Sequence, residues 1–282
     1  MTDRRTFLKT AGALAGTLVA GGATAAGLPR EAASPPAAPP VEHDMSAMPA
    51  SWMGRDRIAM LLYPGFTALD FVGPQYFFGN LMGATVHLVA KDRTAVTSDT
   101  GIAIVPTATF AECPADLDVL FVPGSGKGVL DAMEDDATVA FLADRGARAK
   151  WVTSVCTGSL LLARAGLLTG YRATGHWVAR DVLADFGAIP VNERVVRDRN
   201  RMTGAGVSAG LDLGLAMTAL LRDRAYAESV QLLAEYAPDP AFHAGSPETA
   251  PKETVELIRG MFPGFLERAH RIARGTPPAS GA

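Results

Sequence analysis

The chain has 282 residues, 48% hydrophobic and 20% charged, with 29 glycines, enough apolar material for a substantial core in one large domain or two small ones. Its formal charge of −3 is uneven: Arg4, Arg5 and Lys9 against Asp3 give the first 25 residues +2, leaving about −5 on the rest. No basic stripe remains to attract a nucleic-acid backbone, which argues against nucleic acid as a partner.

The first segment, MTDRRTFLKTAGALAGTLVAGGATAAG, puts paired arginines before Phe7-Leu8-Lys9, then a modestly apolar stretch, then small residues at Ala23-Thr24-Ala25. That is the order of a twin-arginine export signal over 1–26. A membrane-anchoring helix needs about 20 strongly apolar residues, and this stretch is shorter and rich in Gly, Ala and Thr. The expectation is a cleaved leader, a periplasmic or exported protein and no stable membrane insertion. Residues 27–56, rich in Pro and Ala with little periodicity, read as a disordered tether. Its His43, Met45, Met48 and Met53 have no second histidine or cysteine nearby, so a linker without a metal is the better reading.

From Arg57 the pattern changes. IAMLLY (58–63), VHLVA (86–90), DVLFVPG (118–124) and VTSV (152–155) are short apolar or β-branched runs, as strands buried on both faces should be. Between them 74–82, 129–147 and 158–165 have helical character, the last stopped by Gly166. This alternation predicts a mostly parallel sheet covered by helices on both sides, with sites at the carboxyl ends of strands. Farther on, 195–204 resembles a hairpin turning near Asp198 to Asn200, 207–223 a buried helix, and 251–274 a terminal helix. The catalytic domain is expected over 57–275, with 276–282 a disordered tail.

Cys156 falls where the strand 152–155 gives way to a helix, the strand-turn-helix arrangement of a nucleophile elbow. A helix N-terminus favours negative charge, so this thiol is expected to ionise more readily than a free one. Buried cysteines also serve simply as small hydrophobes, and that alternative is open on location alone. Cys113 precedes a proline between Glu112 and Asp116, which discourage a thiolate, and it reads as structural. A disulfide between the two would consume the candidate nucleophile. Asp70 follows the Pro64-Gly65 turn and suits a proton-transfer partner, yet Thr67 and an acid three residues later also resemble a capping box.

TSVCTGSLLLARAGLL, LDFVGP, FAECPADLDVLFVPG, GHW, AIPVNERVVRD, TGAGVSAGLDLGL and LLAEYAPDPAFHAGSPETAP, in that combination, resemble the isocyanide hydratase branch of the ThiJ/PfpI superfamily over about residues 57 to 265. The resemblance implies a flavodoxin-like, glutamine amidotransferase-like three-layer α/β/α sandwich and a homodimer. It also implies Cys156 as nucleophile, Asp70 as general acid/base and Thr157 as a residue that helps fix the site. The implied chemistry is hydration of R–N≡C to an N-substituted formamide. Sulfur attacks the terminal carbon, a proton goes to the adjacent atom, and water resolves the resulting thioimidate without metal or cofactor. Asp70→Asn is then expected to cost about 10² to 10⁴ in rate.

The pattern departs from the family in two places. Pro123-Gly124-Ser125-Gly126 stands where Pro-Gly-Gly is usual, making Gly124 and Ser125 expected substrate or oxyanion donors with a displaced register. Gly175 stands where a threonine is favoured before His176, which either approaches the pocket or is structural. Protease-like members carry His directly after the cysteine, and Thr157 here counts against peptide hydrolysis. Two alternatives to hydration remain at this point: another cysteine-dependent activity such as aldehyde or glyoxal detoxification or redox sensing, and a non-catalytic ligand-binding domain.

Overall fold

A computed structural model describes residues 48–275; the leader, the tether up to residue 47 and the tail 276–282 lie outside the described residues. Along the chain come β1 (Arg57–Leu61), α1 (Ala68–Gly79), β2 (Thr85–Ala90), β3 (Val96–Thr97), β4 (Ala103–Ile104), β5 (Ala108–Thr109) and β6 (Val119–Val122). Then follow α2 (Lys127–Glu134), α3 (Asp136–Arg148), β7 (Trp151–Val155), α4 (Gly158–Arg164), β8 (Arg172–Ala173), β9 (Ile189–Pro190), β10 (Val195–Asp198) and β11 (Arg201–Gly204). Four helices close the described chain: α5 (Ala209–Leu221), α6 (Arg224–Leu233), α7 (Lys252–Arg259) and α8 (Pro263–Ala273).

Seven strands form one sheet in the order β10-β11-β7-β6-β1-β2-β5, parallel except for the β10–β11 hairpin. The helices gather in two groups, α1 with α5 and α6, and α2 with α3, α4 and α8. This is the flavodoxin-like sandwich the sequence implies. With helices on both sides, the central strands must be apolar on both faces, and β6 is buried along its whole length. Met60 of β1 pairs with Leu88 on one side and Phe121 on the other. Phe121 meets Phe78 of α1 edge-on at 5.9 Å, and burial of such a ring contributes about 1.5–3 kcal/mol.

The hairpin forms as expected, with Arg199 taking the left-handed turn position at φ 52°. Helix limits differ more. The helix expected over 74–82 spans Ala68–Gly79 with Pro74 inside it, because Asp99 Oδ1 accepts the Ala68 amide (3.1 Å) and caps its start from a distant turn. Thr67 makes no side-chain cap, so the local capping box is absent. The span 129–147 divides at Asp135, whose carboxylate accepts the Thr138 amide (3.0 Å) and starts a new helix. The span 251–274 likewise breaks before Pro263, which opens α8.

The sequence reading of the helix over 207–223 stopped short of a further one: α6 begins after Asp223, which caps it through the Tyr226 amide (2.8 Å). The tether also ends before residue 56. Trp52 donates to Asp223 (3.1 Å) and packs on Tyr226, while Arg222 pairs with Asp56 (2.6 Å) and donates to the Trp52 carbonyl (2.7 Å).

Candidate active site

Cys156 directly follows β7 and has φ 57°, the left-handed region that costs a non-glycine residue about 1–3 kcal/mol. Its surroundings enforce that turn. Its amide continues the ladder to Gly204 O (3.1 Å), its carbonyl accepts from Ser159 Oγ (3.1 Å), and a Cβ on Gly158 would collide with the carbonyls of Val122 and Pro123. The elbow is thus pressed against the end of β6, and the sequence expectation of a nucleophile elbow holds.

The loop after β6 meets the elbow through Thr157. Its hydroxyl accepts from the Ser125 amide (2.8 Å) and donates to the Ser125 carbonyl (2.6 Å). The neighbouring Gly124 amide donates to Asp70 Oδ2 (2.8 Å), and its carbonyl accepts from the Thr67 amide (2.8 Å) at the start of α1. No side chain fits at 124, since a Cβ would lie 2.6 Å from the Thr157 nitrogen and 2.7 Å from Asp70 Oδ2. Gly124 and Ser125 therefore frame the site. Both amide hydrogens are already engaged by Asp70 and Thr157, so neither is a free donor for an oxyanion here.

Asp70 is fully buried, and its Oδ1 has no hydrogen-bond partner. Burial raises its carboxyl to about 7; the Gly124 amide and the Cys156 thiol pull the other way, and the charge of Asp99 adds to the rise. The Cys156 thiol is 5% exposed and pushed well above its usual range, first by burial and then by the charge of Asp70. The Thr157 amide and hydroxyl oppose this and do not overcome it. The expected readily ionised thiol is thus corrected. The turn at α4 is short, and a buried pocket resists two adjacent negative charges, so acid and thiol compete for protons as one unit.

Tyr63 and Asp99 belong to the same neighbourhood and escaped sequence reading. The Tyr63 hydroxyl donates to Pro123 O (2.8 Å), and the charges of Asp70 and Cys156, after burial, hold its phenol up. Only the Pro64-Gly65 turn marks Tyr63 as a residue at a strand end. Asp99 lies beyond β3, remote in sequence from the Phe66 carbonyl and Ala68 amide that it bonds.

His176 packs among aromatic rings and near Gly206, just past the end of β11. Its ring lies 6.1 Å from that of Phe262 and 5.9 Å from that of Trp177, and burial alone lowers its pKa, with no contribution from Cys156 or Asp70. Gly175 is what reaches the elbow: a Cβ there would collide with Ser159 Oγ and lie 3.0 Å from the Cys156 carbonyl. Cys113 is free, buried and raised by that burial, although nearby Arg145 opposes the rise; its acidic neighbours are not the cause. Cys156 is free as well. A cavity of about 620 Å³ opens beside Tyr63, Pro64, Lys91, Thr97, Gly128 and Asp135 but does not reach Cys156. Tyr63, which lines this cavity, also bonds the Pro123 carbonyl next to the Gly124 amide that holds Asp70.

Residues 56–220 match the DJ-1/PfpI family. Isonitrile hydratase of Pseudomonas putida is 50% identical over 203 residues, covering 72% of this chain and 88% of that protein. The crystal structure of a ThiJ/PfpI family protein from Pseudomonas syringae superposes with a TM-score of 0.79 at 58% identity, covering 85% of this chain and 98% of that one. The HTH-type transcriptional regulator GbdR of Pseudomonas aeruginosa is 32% identical over 166 residues, covering 56% of this chain and 44% of the regulator. With its parallel sheet, strained cysteine and buried acid, the chain belongs to the DJ-1/PfpI family.

Proposed function

We propose that the protein hydrates small isocyanides to N-substituted formamides, with Cys156 as nucleophile and Asp70 as general acid and base. The observation that carries this reading is the pairing of a thiol in a strained elbow with a carboxyl raised to about 7, in a chain 50% identical to an isonitrile hydratase. A carboxyl with that affinity for protons can both take and return one near neutral pH.

Asp70 accepts the thiol proton while sulfur bonds to the terminal carbon of R–N≡C, and the same carbon then takes the proton, giving Cys156–S–CH=N–R. The proton goes to the carbon attacked and not to its neighbour, because that carbon carries the lone pair. Water adds its oxygen to this carbon and a proton to nitrogen, with Asp70 as the shuttle. Collapse breaks the C–S bond and releases R–NH–CHO, the thiol recovering its proton. Thr157 holds the elbow against the loop that holds Asp70.

The test is to incubate the purified protein with a simple aryl isocyanide and follow formamide by chromatography, with a glyoxal arm for the aldehyde alternative. Formamide formation that disappears in Cys156→Ala, with the circular dichroism unchanged, is the expected result. Turnover of the aldehyde alone would overturn the assignment. We propose further, from the leader pattern and the family resemblance, that the protein works as an exported homodimer.

A further inference from the structure

Two hydrogen bonds meet on one peptide group. The Tyr63 hydroxyl donates to Pro123 O (2.8 Å), and the amide of that same peptide, Gly124 N–H, donates to Asp70 Oδ2 (2.8 Å). Tyr63 is 4% exposed and Asp70 fully buried, so water does not compete for either bond. A peptide whose carbonyl accepts a hydrogen bond is polarised, and its N–H becomes a stronger donor. The Pro123 carbonyl is also pressed against Gly158 of the elbow, since a Cβ on that glycine would lie 2.6 Å from it. The orientation of this single peptide is therefore shared by strand end, elbow and acid.

We infer that Tyr63 is a positioning residue for the reaction, acting on Asp70 through the Pro123–Gly124 peptide and setting how firmly that amide holds the carboxylate. This rests on the assignment of Asp70 as the acid and base. The phenol proton is committed to the Pro123 carbonyl, so it is not offered to the substrate. It supports the amide bond that keeps the Asp70 carboxyl from rising further. Removal of the hydroxyl leaves a buried carbonyl without its donor, weakens the amide as a donor and makes the acid hold its proton more tightly.

Titration of the Asp70 carboxyl carbon by NMR in aspartate-labelled protein, with the signal assigned by its loss in Asp70→Asn, needs no substrate. In Tyr63→Phe the midpoint is expected to rise by about half a pH unit, the scale set by 10–30% polarisation of a charge-assisted bond. Site-specific 3-fluorotyrosine at 63 keeps the ring and strengthens the donor, and should lower the midpoint; it decides the matter if the phenylalanine variant folds poorly. In isocyanide turnover the acid limb of kcat/KM should move with the same sign, with KM above that limb unchanged. A fluorotyrosine midpoint that stays at the native value overturns the inference whether or not isocyanide is turned over. A shifted midpoint without isocyanide turnover leaves the positioning intact and removes the proposed substrate.

Discussion

The Thr157 hydroxyl both accepts from the Ser125 amide at 2.8 Å and donates to the Ser125 carbonyl at 2.6 Å, so one oxygen joins the turn at Cys156 to the loop that grips Asp70. Both residues are nearly inaccessible, at 5% and 4% exposure, which means that water cannot replace either bond. Thr157→Val keeps the shape and removes the oxygen. It should cost about 2–4 kcal/mol in denaturant unfolding, from two buried groups left without partners, and should also lower kcat. Thr157→Ser should restore most of both; an unaltered valine variant would show that the bonds contribute nothing.

The raised Asp70 carboxyl also predicts how stability varies with pH. Its carboxyl ionises at about 7 in the fold against an ordinary value of 3.8, so the folded state binds this proton more tightly than the unfolded chain does. The resulting stabilisation is complete below pH 3.8 and is lost as pH rises through about 7. Asp70→Asn, which cannot ionise, should gain up to about 4 kcal/mol relative to the native chain between pH 4 and pH 8 while losing activity. Urea melts of both proteins at the two pH values measure this, and parallel curves would refute it.

On the proposed mechanism, activity should fall as pH drops through about 7, because Asp70 must be a carboxylate to accept the thiol proton. Asp99 adds to that value by its charge, and its oxygen also caps α1. Asp99→Asn keeps an oxygen for the Ala68 amide and removes the charge, so the acid limb of kcat/KM should shift to lower pH. A limb that stays in place would separate Asp99 from the titration.

Gly175 and Ser159 should be energetically coupled. A Cβ at 175 collides with Ser159 Oγ, which is held by its bond to the Cys156 carbonyl (3.1 Å). Gly175→Ala alone should cost about 1–3 kcal/mol as an overpacked site. In a Ser159→Ala background the cost should be clearly smaller, leaving the 3.0 Å approach to the Cys156 carbonyl as the remaining strain. A double-mutant cycle by thermal or denaturant unfolding reads the coupling directly, and strict additivity would contradict it.

The helix that carries Asp70 shows where sequence reading stopped. From sequence, helical character is read over 74–82, and Thr67 with Asp70 three residues later resembles a local capping box. In the fold Pro74 lies inside α1, and the cap comes from Asp99, a residue no local pattern could select. The breaks at Asp135 and before Pro263 rest on local starts within one helical span: a capping carboxylate at 135 and a proline at the first turn of α8. His176 read more readily as structural than as a pocket residue, and its packing on Phe262 depends on the start of α8, far along the chain.

What the amino-acid order determined by itself is periodic and local. Short apolar or β-branched runs at 58–63, 118–124 and 152–155 specify strands buried on both faces, and a cysteine at the end of one such run followed by Thr157-Gly158 specifies an elbow. What only the tertiary structure decided is electrostatic. How tightly Cys156 and Asp70 hold their protons depends on water exclusion, on the Gly124 amide and on the charge of Asp99, brought together from separate strands and loops. Burial and mutual repulsion outweigh the pull of a short helix terminus, and these act through distances in space that spacing along the chain does not encode.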